Sequence, residues 1–264
     1  MKIENFQSQV CVCAASTNLI CAKSRAEMEK KMTEEYTALD LETTGLNPKK
    51  DKIIEIGAVK VREGRIVDSF QCFVNPWRKL GEETCLLTGI DDGMLQDAPG
   101  IEEVLEPLID FIGEDVLVGH RILFDYSFVK KAAVNRSLVF EKEGIDTLKL
   151  ARKLLPDLES RKLGDLCNYY GIAHRAHRAL EDAEASSGLY QKLAELFYKG
   201  NEEAFMPRKL LFEAKKEMPV TKRQKERLYK LLDRHRITIE YQVDKLTKSE
   251  ADRIMDQIVA KYGR

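Results

Sequence analysis

Tyr36-Thr37-Ala38-Leu39-Asp40-Leu41-Glu42-Thr43-Thr44-Gly45-Leu46 is the stretch on which the reading of this chain turns. Its apolar run predicts a strand, and side chains two apart on a strand share a face. Asp40 and Glu42 therefore project side by side from an element otherwise suited to burial. Like charges this close repel, and desolvation adds to the cost. A divalent cation relieves both. A solvated edge strand with two harmless acids accounts for the stretch equally well, and three later stretches decide between the two.

Working outward, residues 53 to 62 and 66 to 74 read as two more strands, linked at Arg62-Glu63-Gly64-Arg65 by a hairpin signal. Asn75-Pro76 stops the third strand, so the sheet opens as an antiparallel meander. Ile101, Val104, Leu105, Leu108, Ile109 and Ile112 recur at helical spacing. A short buried strand at 116 to 118 follows, then a helix over 124 to 135 and the end of a strand at 144 to 146. Helices are expected over 147 to 155, stopped by Pro156, over 163 to 170, capped by Gly171, and over 178 to 198. Strands first, then alternation with helices, predict an α/β fold: a mixed sheet flanked by helices.

Two more acidic stretches fall at strand and helix ends. Asp125 follows Gly119-His120-Arg121-Ile122-Leu123-Phe124, leaving the short strand and opening a helix, where an acid also suits the dipole. Taken alone it is a helix-start carboxylate. Asp182 lies in the first turns of the last long helix, between Ala179 and Ala183, whose small side chains let that helix lie close to a sheet. His177 precedes this helix in a loop; alone, it and His174 read as surface residues. Together, Asp40, Glu42, Asp125 and Asp182 have one economical explanation, convergence from a strand pair and two helix starts. Carboxylate ligands suit Mg²⁺ or Mn²⁺ rather than Zn²⁺. Two such ions, roughly 3.5–4 Å apart, clamp the attacking and leaving oxygens of a phosphodiester. A neutral His nearby can take the proton of the attacking water.

These motifs resemble the DEDD superfamily of 3′–5′ exonucleases, in the DnaQ-like branch whose last motif carries His (DEDDh), which includes the proofreading epsilon subunit of bacterial DNA polymerase III. The first motif, Asp-x-Glu-Thr-Thr-Gly, is matched at Asp40 to Gly45, the second at Phe124-Asp125, and the third by His177 and Asp182. The resemblance covers about residues 34 to 198. It implies a ribonuclease H-like fold, Asp40, Glu42, Asp125 and Asp182 as ligands of two divalent cations, and His177 as general base. It further implies substrate contacts at Thr43, Leu46, Glu83, Thr88 and His120. Helix-surface and helix-end roles account nearly as well for Glu83 and Thr88. Arg121 departs from the Asn common at its position in the family, so a phosphate or solvent contact replaces the expected amide contact.

Composition sets the remaining bounds. The 264 residues carry 43 Lys and Arg against 44 Asp and Glu, so any argument for nucleic acid is local. The cysteines, at 11, 13, 21, 72, 85 and 167, form no Cys-x-x-Cys pair and read as free thiols of a reducing cytoplasm. No apolar run is long enough to span a bilayer. Residues 1–33 are expected to be a disordered extension, or to precede a natural start at Met28 or Met32. Residues 34–200 form the exonuclease domain, 201–219 a linker, and 220–264 a small basic helical unit. In that unit Thr221-x-x-Gln224 and Thr247-x-x-Glu250 fit capping boxes. Its first helix carries Lys222, Arg223, Lys225, Arg227, Lys230, Arg234 and Arg236, a solvated face or a tether for a phosphate backbone.

The expected function is metal-dependent 3′–5′ exonuclease action on single-stranded or frayed 3′ ends, DNA ahead of RNA, in proofreading or repair. A polymerase would be a separate partner. Two alternatives stay open: an exoribonuclease that trims oligonucleotides, and a non-catalytic polymerase- or nucleic-acid-binding module. The presence of every acid and the His disfavours the second.

Overall fold

The chain is described here by a computed structural model over residues 32–175 and 177–263. The opening stretch forms strand β1 (Tyr36–Thr43), and β2 (Ile53–Arg62) and β3 (Arg65–Phe73) complete the meander. Glu63 and Gly64 join β2 to β3, with φ of 50° and 72°. Positive φ at both positions of a two-residue loop is what the right-handed strand twist favours. The sheet continues through β4 (Val116–Gly119), β5 (Glu143–Asp146) and β6 (Arg208–Lys209), in the order β3-β2-β1-β4-β5-β6. β1 pairs antiparallel with β2 and parallel with β4; β5 is parallel to β4 and β6 antiparallel to β5. The mixed sheet read from the sequence is therefore present, with β1 near its centre.

Helices α1 (Glu82–Thr88), α2 (Asp92–Leu95) and α3 (Ile101–Ile112) precede β4. α4 (Leu123–Arg136), α5 (Thr147–Leu154), α6 (Leu163–Tyr170) and α7 (Ala179–Phe197) follow in turn. The period-2 rule separates two cores across β1. Leu39 and Leu41 pack with Leu105, Leu108, Tyr126 and Val129 of α3 and α4. Tyr36 and Ala38 pack with Leu189, Tyr190 and Leu193 of α7. By the same alternation Asp40 and Glu42 continue the α7-facing row toward the strand's end.

Residues 201–219, expected as a linker, are instead packed onto the body. A 3₁₀ turn at Glu202–Phe205 buries Phe205 in the α7-side core, β6 extends the sheet, and Leu210 joins the opposite core. Farther on, Lys131 of α4 donates to the Lys215 carbonyl (2.7 Å) and pairs with Glu217 (3.1 Å). Two residues of edge strand leave no periodic signal, which is why composition alone suggested a free connection.

The C-terminal helices α8 (Lys222–His235) and α9 (Lys248–Tyr262) both begin with the expected capping boxes. They pack on each other through Leu228, Leu231, Leu232, Ala251, Met255 and Ile258, a core of their own. Polar contacts join them to the sheet domain: Lys52 to Glu250 at 2.8 Å, Lys245 to Glu102 at 2.6 Å, and the Lys79 amide to the Glu240 carbonyl at 3.0 Å. Among the described residues no helix is long and apolar enough to cross a membrane. Cys72, Cys85 and Cys167 are free thiols; the other three cysteines and the readings of the N-terminal extension lie outside the described residues, apart from residues 32 and 33.

Candidate active site

The site is built where β1 outruns its neighbour. β4 pairs with Tyr36, Thr37 and Ala38, and beyond Ala38 no strand of the described residues lies beside that edge of β1. Asp125, in the first turn of α4, fills the gap: its Oδ1 accepts from the Leu41 amide at 3.1 Å, and the residue is 3% exposed. The bond satisfies a backbone donor that the ladder leaves unpaired. Gly119 lets β4 end close in, since a Cβ there would lie 2.9 Å from the Leu39 carbonyl oxygen.

Asp182 arrives from the other side. Gly57 of β2 lies opposite Asp40 in the ladder. A Cβ on Gly57 would lie 2.1 Å from the Ala179 carbonyl carbon and the Leu180 nitrogen, so the absence of a side chain lets the start of α7 rest on the sheet. Carboxylate oxygens of Asp40, Glu42 and Asp182 lie within 4.8 Å of one another.

A second clamp, not foreseen from the sequence, fixes the same helix start. Glu55 pairs with Glu42 across the β1–β2 ladder and is fully buried. Its Oε1 accepts from Arg178 Nη2 (2.9 Å) and Gln71 Nε2 (3.0 Å), and its Oε2 from the Ala179 amide (3.3 Å). Arg178 and Glu55 are 123 residues apart, and no local pattern relates them. The isolated Gly57 within a strand was the one available hint of a close backbone approach.

Electrostatics in the pocket are one-sided. Burial, then the charges of Asp125, Asp182, Glu42 and Glu55, push the Asp40 carboxyl well above the ordinary carboxylate range. Glu42 is raised to about 7, chiefly by burial and then by Asp182 and Glu55, with Arg178 opposing. Burial likewise holds Asp125 well above its usual value, against the backbone hydrogen bonds that favour its charged form. Protons or cations relieve such a cluster. The donors are all carboxylate oxygens, a set suited to hard divalent cations.

The two histidines meet Asp182 differently, one through its ring and one through its backbone. The His174 ring, nearly buried, has its Nε2 against Asp182 Oδ1. His177 is exposed, with φ of 69°, and its backbone amide donates to Asp182 Oδ2 at 3.0 Å. Asp182 is thus bonded at both oxygens by the loop preceding α7. His120 is tied down at both ring nitrogens, to Thr147 Oγ1 (3.0 Å) and the Arg161 carbonyl (2.9 Å), and burial lowers its pKa. It braces the loop after β4.

Of the other expected substrate contacts, Thr43 donates to the Gly45 carbonyl at 2.7 Å and shapes the loop that presents Leu46, which is 79% exposed. Arg78 holds that loop through Thr44 Oγ1 and the Lys50 carbonyl. Glu83 is exposed on α1. Thr88 is buried, donating to the Thr84 carbonyl (2.9 Å) and accepting from the Ile90 amide (3.1 Å), so its hydroxyl serves the helix end. Next to it, Leu86 and Leu87 stand 87% and 58% exposed, and the Thr84 hydroxyl reaches the Thr44 carbonyl at 3.4 Å. Exposed apolar side chains there pass the sequence reading by, because surface leucines carry no signal of their own.

A mixed sheet with antiparallel leading strands, and carboxylates gathered at the end of one of its inner strands, gives the chain a ribonuclease H-like fold with a candidate metal-binding pocket. The chain belongs to the exonuclease family: the RNase T exonuclease model matches residues 37–190, more than half its length. It is 43% identical over 171 residues to a DNA polymerase III PolC-type protein of Caldanaerobacter subterraneus subsp. tengcongensis, covering 64% of this chain and 12% of that relative. The corresponding Bacillus subtilis protein is 43% identical over 164 residues, 61% of this chain and 11% of the relative. The chain therefore spans about 12% of the length of the curated relatives it matches. Exonuclease X, solved with 5′ overhanging duplex DNA, superposes with a TM-score of 0.51 at 25% identity, over 65% of this chain and 99% of that one. E. coli exonuclease I with a dA16 oligonucleotide gives 0.56 at 16% identity over 66% and 42%, a likeness of fold.

Proposed function

We propose that the protein is a divalent-metal-dependent 3′–5′ exonuclease acting on single-stranded or frayed 3′ ends of DNA. The observation that carries this reading is the meeting of Asp40, Glu42 and Asp182 within 4.8 Å at the end of β1, with Asp125 docked on the same strand. In this reading the four acids hold two divalent cations, Mg²⁺ or Mn²⁺, which when bound polarise the scissile phosphate and make water a better nucleophile. Leu46, with Leu86 and Leu87 of α1, offers apolar surface to the terminal base, and Glu83 faces the same side as a partner for the 3′-hydroxyl. His177 takes the proton of the attacking water. Its exposed ring and left-handed backbone suit a loop residue that turns inward, while its amide stays on Asp182. The PolC-type relatives support a replication or repair setting in the cytoplasm, with a DNA polymerase as partner.

The test is end-labelled single-stranded DNA, single-stranded RNA and mismatched duplex, each incubated with Mg²⁺, Mn²⁺ or EDTA. Stepwise shortening of the DNA from its 3′ end is expected, abolished by chelator and by Asp40→Ala. Shortening of RNA at the greater rate would move the reading to an exoribonuclease. No cleavage of any substrate by the wild-type chain would refute the enzymatic reading.

A further inference from the structure

The residues that lead into Asp125 also line an open cleft of about 1050 Å³. It is walled by Pro48 from the loop that leaves β1, by the segment between β4 and α4, by α5 and the start of α6, and by Phe212 just beyond β6. Among the described residues five cations and one acid line it, the cations being Arg121, Lys149, Arg152, Arg161 and Lys162. Its one acid, Asp146, is committed to backbone amides, accepting from Arg121 at 3.1 Å, Leu148 at 3.0 Å and Lys149 at 3.3 Å. The Arg161 guanidinium is committed too, to the Leu155 carbonyl at 2.7 Å and to that of Pro156. That leaves Arg121, Lys149, Arg152 and Lys162 exposed and, among the described residues, outside any ion pair.

We infer that this cleft is a track for the single strand behind the nucleotide being removed. The inference rests on the exonuclease reading of the neighbouring acids. Three features carry it. The cations are spread over three elements rather than converging on a point, which fits a chain of phosphates better than one anion. Leu123, Phe124 and Phe212 share the cleft with them, supplying the apolar and aromatic faces on which unpaired bases stack. Lastly, the chain links the cleft to the pocket twice: Pro48 lies six residues past Glu42, and Phe124, in the first turn of α4, immediately precedes Asp125. Phe212 lies outside the family-matched residues 37–190 and closes one side of the cleft.

The test is fluorescence anisotropy with the full chain carrying Asp40→Ala, so that bound strands survive, and labelled dT5 and dT20 as probes. Adding Lys149→Glu, Arg152→Glu and Lys162→Glu is expected to weaken dT20 binding at least roughly tenfold near 0.1 M salt, and dT5 binding less. The slope of log affinity against log salt should fall by about 2, at roughly 0.7 per phosphate contact on a single strand. The triple Gln variant should show the same loss in smaller degree, and melting temperatures should verify that all variants are folded. Unchanged dT20 affinity and salt slope in folded variants would overturn the track, as would an equal loss for dT5 and dT20. Hydrolysis of thymidine 5′-monophosphate p-nitrophenyl ester by the wild-type chain tests the nuclease reading separately. Ester turnover with parent-like dT20 binding would sink the cleft alone.

Discussion

The end of β1 and the C-terminal helix pair treat charge in opposite ways. At β1, carboxylates from three elements are forced together and buried, with Asp40, Glu42 and Asp125 all pushed toward their protonated forms. In α8, α9 and the segment between them, charge is placed where it is comfortable: capping boxes satisfy the helix starts, and Lys225–Asp244, Lys52–Glu250 and Lys245–Glu102 pair opposite signs. The helix pair reads as a structure optimised for standing. The acid pocket reads as one that gives up stability for a ligand, and cost of that kind marks a working site.

The largest expected effect that would break this contrast is at the loop before α7. His177→Ala should lower the rate of 3′-end shortening by roughly 10²–10⁴-fold, the weight of general acid–base catalysis. His174→Ala should cost about tenfold or less, since its ring braces Asp182. Single-turnover rates on a labelled oligonucleotide check both, and a reversed order would transfer the proton-accepting role to His174. Next comes the Glu55–Arg178 clamp. Arg178→Ala leaves a fully buried carboxylate without its guanidinium, and breaking such a pair costs about 3 kcal/mol. Because the Arg178 side chain keeps 29% of its exposure, solvent screening discounts that figure, and we expect about 1–2 kcal/mol by urea denaturation. A larger loss of activity than of stability would mark the clamp as aiming Asp182. The smallest effect is expected from the helix pair: Lys222→Glu with Arg223→Glu and Arg227→Glu should change the affinity for a long oligonucleotide by about threefold or less, at constant melting temperature. A shift as large as that from the cleft residues would make α8 a tether, and erase the contrast.

Much of this was open to sequence reading because it is local. The pairing of Asp40 with Glu42, the helix at Ile101–Ile112 and both capping boxes follow from spacing within a few residues, and the structure has them where periodicity puts them. What escaped is long-range or too short to be periodic. Glu55 looked like one more alternating strand residue, and nothing in its neighbourhood points to Arg178. β6 is two residues long. His174 and His177 lie three residues apart in one loop, and no local pattern tells which ring meets Asp182. The roles assigned to single side chains, at His120 and Thr88, met a different limit. Residue type suggested a ligand contact, whereas the fold engages both ring nitrogens and the hydroxyl internally.

The central claim is that the end of β1 is a cation site assembled at the expense of the apo fold, and thermal melting across pH with and without Mn²⁺ tests it most directly. An acid whose folded pKa exceeds its unfolded one makes the folded state bind the extra proton, so its contribution is intact below the unfolded value and lost as pH rises through the folded one. For Glu42 that window runs from 4.5 to about 7, with Asp40 and Asp125 shifted in the same direction. We predict that the metal-free protein melts at lower temperature as pH rises from 5 to 7.5, and that millimolar Mn²⁺ restores the loss at pH 7.5 while doing little at pH 5. Asp40→Asn should flatten both responses. A wild-type melting temperature that is level across this range and indifferent to Mn²⁺ would contradict the account.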